Sequence, residues 1–180
     1  MQRRTIAHFG RIVLLKRGLR RSNSCDNNTW AQHMLSKDFK EFVELLKKHE
    51  AEYMIVGGYA VGVHGYPRFT GDLDIWLHPT KENAQRILHA VDEFGFGSFD
   101  LSVEDLTKEG NVIQFGQPPL RIDLLTTIDG VTFEECYANR KVVIFDGLPM
   151  HFIGYHDLVK NKKATGRHRD LDDIENMKPG

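Results

Sequence analysis

From Ser36 onward the hydrophobic positions fall into runs of helical and of strand period. Phe39, Phe42, Leu45 and Leu46 recur at helical spacing up to about Glu50, and Ser36 stands where such a helix needs its N-cap. Residues 53–56 form a short apolar strand that runs into Gly57-Gly58. A short helix through Ala60 and Val63 should follow and end at Gly65, with 66–71 as a loop containing Pro67 and Arg68. Residues 73–77 are a second strand. Thr80 then caps a helix whose apolar face is Ala84, Ile87, Leu88, Val91 and Phe94, and Gly95 is placed to end it. Ser102-x-x-Asp105 has the form of a capping box. Residues 112–115 and 120–125 read as strands; Pro118-Pro119 between them lacks the donors that one continuous strand would need. Thr132 and Glu135 predict a further capped helix to about Asn139. Strands at 142–145 and 149–153 flank Asp146-Gly147, a dipeptide that favours tight hairpins. Helical stretches at 157–164 and 167–177 close the chain. The order predicts an α/β or α+β domain: a small mixed sheet with helices on one face and a short helical C-terminal element.

The 180-residue length suits one domain, and 41% hydrophobic with 27% charged residues is ordinary globular composition. No apolar run exceeds four residues (12–15 and 142–145 are examples), so no membrane-spanning helix is expected. Cys25 and Cys136 provide neither a disulfide framework nor metal-finger spacing, which suits a reduced, cytoplasmic compartment. The net charge of −1 argues against a surface that binds nucleic acid all over. That average hides an asymmetry. Residues 1–33 hold seven Arg and Lys (Arg3, Arg4, Arg11, Lys16, Arg17, Arg20, Arg21) against the single acid Asp26. A targeting leader, an arm that grips RNA and an extension upstream of the domain are the three readings of that segment. We expect a basic extension at 1–33, disordered or outside the domain, and the domain itself at 34–180.

The chemistry concentrates in the middle of the chain. Asp72 and Asp74 sit two apart at the start of a strand, so both carboxylates point to one face. Like charges so close are stable only with a cation between them, and a hard divalent ion such as Mg²⁺ is the natural one. Asp123 is a lone acid among Ile122, Leu124 and Leu125, an unusual place for a carboxylate without a partner. If its strand lies beside 73–77, Asp123 completes a three-carboxylate site able to hold two Mg²⁺ for phosphoryl chemistry. Otherwise it pairs structurally with Arg121 or Arg68. Gly57-Gly58, between a strand and a helix, lets backbone N–H groups approach a phosphate. Neither a Gly-x-Gly-x-x-Gly fingerprint nor a Walker A pattern occurs, which excludes dinucleotide and P-loop chemistry. The scattered histidines, His64 and His78 among them, read as surface or core residues. Tyr59, Tyr66 and Phe69 are expected to pack rather than stack on a base, and Cys136 to lie in the core.

Taken together, Val56-Gly57-Gly58, then Asp72-x-Asp74, then Asp123 resemble the nucleotidyltransferase superfamily that includes DNA polymerase β and the small antibiotic-modifying nucleotidyltransferases. Gly57-Gly58-Tyr59-Ala60, Arg68-Phe69-Thr70 and Lys162…Arg167…Asp170-Leu171-Asp172-Asp173 are most similar to its compact bacterial branch, related to abortive-infection and type IV toxin nucleotidyltransferases. The resemblance spans roughly residues 38–177. Its sharpest departure is Gly58, where many members have Ser. It implies a polymerase β-like core and transfer of a nucleoside monophosphate from an NTP to a hydroxyl, with pyrophosphate released. The implied cofactor is Mg²⁺, two ions, with Mn²⁺ able to substitute. Asp72, Asp74 and Asp123 would be both catalytic and metal-binding. Gly57, Gly58, Arg68, Thr70, Lys162 and Arg167 would bind the nucleotide, and Asp170 would orient Arg167. A tRNA 3′ end, a protein side chain and a small molecule are the acceptors it admits, and an antitoxin is the partner that the toxin-like branch implies. The alternative is a catalytically inactive nucleotide- or partner-binding module of the same fold.

Overall fold

The computed structural model describes residues 36–97, 100–117 and 120–178. The basic segment 1–33, Cys25 and the Pro118-Pro119 break lie outside these residues. The first helix, α1 (Lys37–Lys48), starts where Ser36 Oγ accepts the Phe39 N–H at 3.1 Å, and it buries Phe39, Phe42, Val43 and Leu46. Strand β1 (Tyr53–Ile55) leads through Val56 into α2 (Gly57–Val63), and β2 covers Asp72–Leu77. Helix α3 (Lys81–Val91) is capped by Thr80, whose hydroxyl accepts the Asn83 N–H at 3.2 Å. It runs into a π-turn, Asp92–Phe96, closed by Gly95 at φ +98°. The capping box at Ser102 and Asp105 opens α4 (Val103–Thr107).

Strands β3 (Val112–Gln117) and β4 (Leu120–Leu125) form an antiparallel pair. Helix α5 (Phe133–Ala138) forms where expected, although the Thr132 side chain makes no capping bond. The hairpin β5 (Lys141–Phe145) to β6 (Leu148–Phe152) turns through Asp146 at φ +48° and Gly147 at φ +80°. Two positive φ values suit a turn whose twist matches that of the strands. Helices α6 (Tyr155–Thr165) and α7 (His168–Asn176) meet at Gly166, whose left-handed φ of +66° ends the first.

The six strands form one mixed sheet in the order β3-β4-β2-β1-β6-β5. β2 pairs antiparallel with β1 and parallel with β4. Its Leu73, Ile75, Trp76 and Leu77 are buried, with Asp72 and Asp74 interleaved at its start. The strand is therefore anchored by its apolar residues, and its leading end presents the acids. Cys136 lies in the core, as the sequence suggests, and burial pushes its thiol up to about 12. Tyr59 packs against Phe39, but Phe69 does not pack: it is 80% exposed on the loop before β2. Among the described residues no helix is long and apolar enough to cross a membrane.

Candidate active site

Because β2 and β4 are parallel, both begin at the same end of the sheet. Their register sets Asp74 opposite Asp123 and Asp72 opposite Arg121. Residues two apart on a strand share a face, as do residues opposite one another. Asp72, Asp74, Arg121 and Asp123 therefore project together, and one carboxylate oxygen from each acid lies within 4.8 Å of the others. Asp123 is buried, while Asp72 and Asp74 are half-buried.

The turn between β1 and α2 closes one side. The Val56 N–H donates to the Asp74 carbonyl at 3.0 Å and draws this turn across the end of β2. Gly57 has φ +61°, and a β-carbon on it would stand 1.9 Å from Asp74 Oδ2. Both facts require glycine there. A β-carbon on Gly58 would stand 2.7 Å from Thr70 Oγ1. The Thr70 hydroxyl donates to Asp72 Oδ1 at 2.7 Å. Thr70 thus fills the space that a serine at position 58 would need, which accounts for the departure of Gly58 from the common pattern.

The acids are not left bare. Arg121 Nε donates to Asp123 Oδ1 at 2.7 Å, and its Nη2 donates to Asp123 Oδ2 at 2.9 Å and to Asp72 Oδ2 at 2.8 Å. Gln114, opposite Asp123 on β3, donates from Nε2 to Asp123 Oδ2 at 3.0 Å. Burial, reinforced by the charges of Asp72 and Asp123, pushes the Asp74 carboxyl up to about 7, against the pull of Arg121 and Arg167. The cluster calls for positive charge, and a side-chain cation already stands in it. Its donors are all carboxylate oxygens, the set that hard divalent ions prefer, so these residues fit Mg²⁺ or Mn²⁺.

The remaining predicted residues assemble in a second cluster. Arg68 donates from Nε and Nη2 to Asp173 at 2.6 and 2.9 Å. Lys162, 3% exposed, donates from Nζ to Asp173 at 2.6 Å and to Asp170 at 3.0 Å. Arg167 Nε donates to Asp170 Oδ2 at 2.6 Å, the orienting contact expected of Asp170. Burial alone would raise the Asp170 and Asp173 carboxyls, but these cations hold both below the ordinary range. The hydrogen bonds of Arg68 and Lys162 thus go to Asp170 and Asp173 on α7 and not to the three site carboxylates. Arg167 is different: its side chain is 70% exposed, and its charge reaches Asp74.

Asp72, Asp74, Asp123, Gly57, Gly58 and Thr70 are brought together as the pattern suggests. Sequence reasoning missed Gln114, and it weighed Arg121 only as a structural partner of Asp123. The signal for Arg121 was present: it lies two before Asp123 on the same strand, hence on the same face. Gln114 had no such signal, because only the β3–β4 register places it.

The family described as "nucleotidyltransferase of unknown function" (DUF6036) matches residues 33–178. Among solved structures, a candidate nucleotidyltransferase from Thermotoga maritima superposes with a TM-score of 0.51 at 14% identity, over 76% of this chain and 87% of that one. An antigenic nucleotidyltransferase-like protein from Paracoccidioides brasiliensis is similar at a TM-score of 0.48 and 16% identity, over 79% of this chain and 77% of that one. At such identities the Thermotoga likeness shows the fold alone. No curated protein matches the sequence.

Proposed function

We propose, given that the chain belongs to the nucleotidyltransferase family DUF6036, that it moves a nucleoside monophosphate from an NTP to a hydroxyl acceptor and releases pyrophosphate. The observation that supports this most is the convergence of Asp72, Asp74 and Asp123 within 4.8 Å beside a turn where Gly57 leaves no room for a side chain. In the reaction the acceptor oxygen bonds to the α-phosphorus. The bond from that phosphorus to the oxygen bridging to the β-phosphate breaks, and its electron pair leaves with pyrophosphate. Two Mg²⁺ held by the three carboxylates, or Mn²⁺ in their place, would supply Lewis-acid stabilisation of the charge developing on the attacking and leaving oxygens.

The side chains divide the remaining work. Asp123, steadied by Gln114, takes the proton of the acceptor hydroxyl. Thr70 orients Asp72 through its hydroxyl. Gly57 and Gly58 let the phosphates come close to the backbone. Arg167, exposed and close enough to act on Asp74, meets the triphosphate. Lys162 and Arg68 act on the nucleotide indirectly, by fixing α7 and hence the Asp170 contact that aims Arg167. The acceptor class is a tRNA 3′ end, a protein side chain or a small molecule. A toxin role restrained by an antitoxin is the extension that the toxin-like motifs suggest.

The test is a label-transfer assay: the full chain with Mg²⁺, each of the four α-³²P NTPs, bulk tRNA, and the protein itself as acceptor, beside Asp74→Ala and Asp123→Ala. Label that moves with the wild type and stops with both variants supports the enzyme reading, and the labelled species identifies the acceptor class. No transfer together with no metal-dependent NTP binding overturns it in favour of a binding module. Growth arrest on expression, lost in Asp74→Ala, is the outcome expected of the toxin extension.

A further inference from the structure

Among the described residues, Arg121 is the cation that hydrogen-bonds within the group of three site carboxylates. Its guanidinium makes three hydrogen bonds to two of them, Asp72 and Asp123, at 2.7 to 2.9 Å. A guanidinium so placed uses the same oxygens that a divalent ion needs. Asp123 Oδ2 already accepts from both Arg121 and Gln114, and the Arg121 charge stands against Asp123 Oδ1 and Asp72 Oδ2, so an ion drawn to these oxygens meets filled lone pairs on the first and a like charge beside the other two. A guanidinium stays protonated at any working pH, so the side chain remains charged and repels a second cation.

The surroundings let the side chain leave. Arg121 is 28% exposed and stands at the second position of β4, at the rim of the sheet. The residue opposite it on β3 is Gly116, which puts no side chain beside it. Gln114 supplies Asp123 with a separate donor that does not depend on Arg121.

From this arrangement we propose that Arg121 is a built-in competitor of the metal: it occupies the carboxylates in the metal-free protein and must swing out for a divalent ion to enter. The inference rests on the metal-site reading of Asp72, Asp74 and Asp123. It makes Arg121 a positioning residue that sets metal affinity. Without metal it neutralises the acids and holds the sheet end together; with metal it is released at the rim.

The experiment is Mn²⁺ binding to the full chain at pH 8, followed by electron paramagnetic resonance of free Mn²⁺. Wild type, Arg121→Met and Asp123→Asn are compared, with thermal unfolding in EDTA and in excess Mg²⁺ alongside. Arg121→Met should bind Mn²⁺ at least tenfold more tightly than the wild type. It should also be less stable than the wild type in EDTA and recover most of that deficit in Mg²⁺. A merely structural arginine would lower stability equally in both conditions and leave affinity unchanged or weaker. Equal or weaker Mn²⁺ binding by Arg121→Met overturns the competition while leaving the metal site standing. Absence of binding by the wild type and by Arg121→Met overturns the metal site, and the competition with it. Should Arg121→Met fail to fold, the wild type decides: the Arg121 Nε–H resonance, protected from exchange without metal, should shift and lose protection on adding Mg²⁺. A resonance that does not respond to saturating Mg²⁺ overturns the proposal.

Discussion

Replacing Asp74 by Asn should make the metal-free protein more stable while ending its chemistry. Burial and two neighbouring acids raise the Asp74 carboxyl from 3.8 to about 7. An acid whose folded value lies above its unfolded value binds more protons folded than unfolded, so stability falls as pH rises between the two values. Below about pH 4 Asp74 is protonated in both states and contributes nothing. Above about pH 7 it is ionised in both, and the full cost applies. At roughly 1.4 kcal/mol per pH unit that cost is on the order of 4 kcal/mol. Asn keeps the shape and removes the charge. In EDTA, Asp74→Asn should therefore unfold at about the same temperature as the wild type near pH 4 and roughly 10 °C higher at pH 8. Mg²⁺ should narrow the difference at pH 8 by stabilising the wild type, because an ion that binds the native state and not the unfolded chain raises its stability. Thermal unfolding followed by circular dichroism from pH 4 to 9 measures this. A difference that does not vary with pH, or a variant less stable than the wild type at pH 8, would refute the electrostatic account of the site.

Gly57→Ala must place a methyl group 1.9 Å from Asp74 Oδ2 at a φ of +61°; transfer should be lost, with stability lowered by roughly 2 kcal/mol or more in urea denaturation. Asp173→Ala takes the shared counter-charge from buried Lys162 and half-buried Arg68, so it should destabilise by roughly 3–5 kcal/mol, read from the urea midpoint. Asp170 and Asp173 have carboxyls held below their ordinary values, so the stability they contribute is present at neutral pH and lost as pH falls through the acid range, where α7 should release first by hydrogen exchange. A chain starting at Met34 should fold and transfer label as the full chain does; loss of either would show that the basic segment belongs to the working protein.

The strands and helices were legible because their signals are local. Ser36, Thr80 and the Ser102–Asp105 box cap helices with backbone bonds reaching three residues. Asp146-Gly147 turns a hairpin with its own φ angles. The acids of the site were legible for the same reason: Asp72 and Asp74 share a face by strand alternation alone, and Asp123 is out of place in an apolar strand. The motif pattern then pointed to the family before any contact was known. Sequence reasoning went astray where a side chain's partner lies far along the chain. Arg68 reads as a phosphate ligand, yet its hydrogen bonds go to Asp173, 105 positions further on. Phe69, expected to pack, finds no pocket.

The sequence by itself thus determined the elements, the three acids, the glycine turn and the nucleotidyltransferase resemblance, since each follows from residue type and short spacing. Only the tertiary structure decided that β2 and β4 run parallel in a register that sets Asp74 against Asp123. That register brings Gln114 to Asp123 and puts Arg121 between Asp72 and Asp123, and it turns three separate acids into one site that already holds a cation. The physical reason is range. Caps, turns and alternation are fixed by a few neighbouring bonds, whereas charge pairing depends on distances that exist only once the whole sheet has formed.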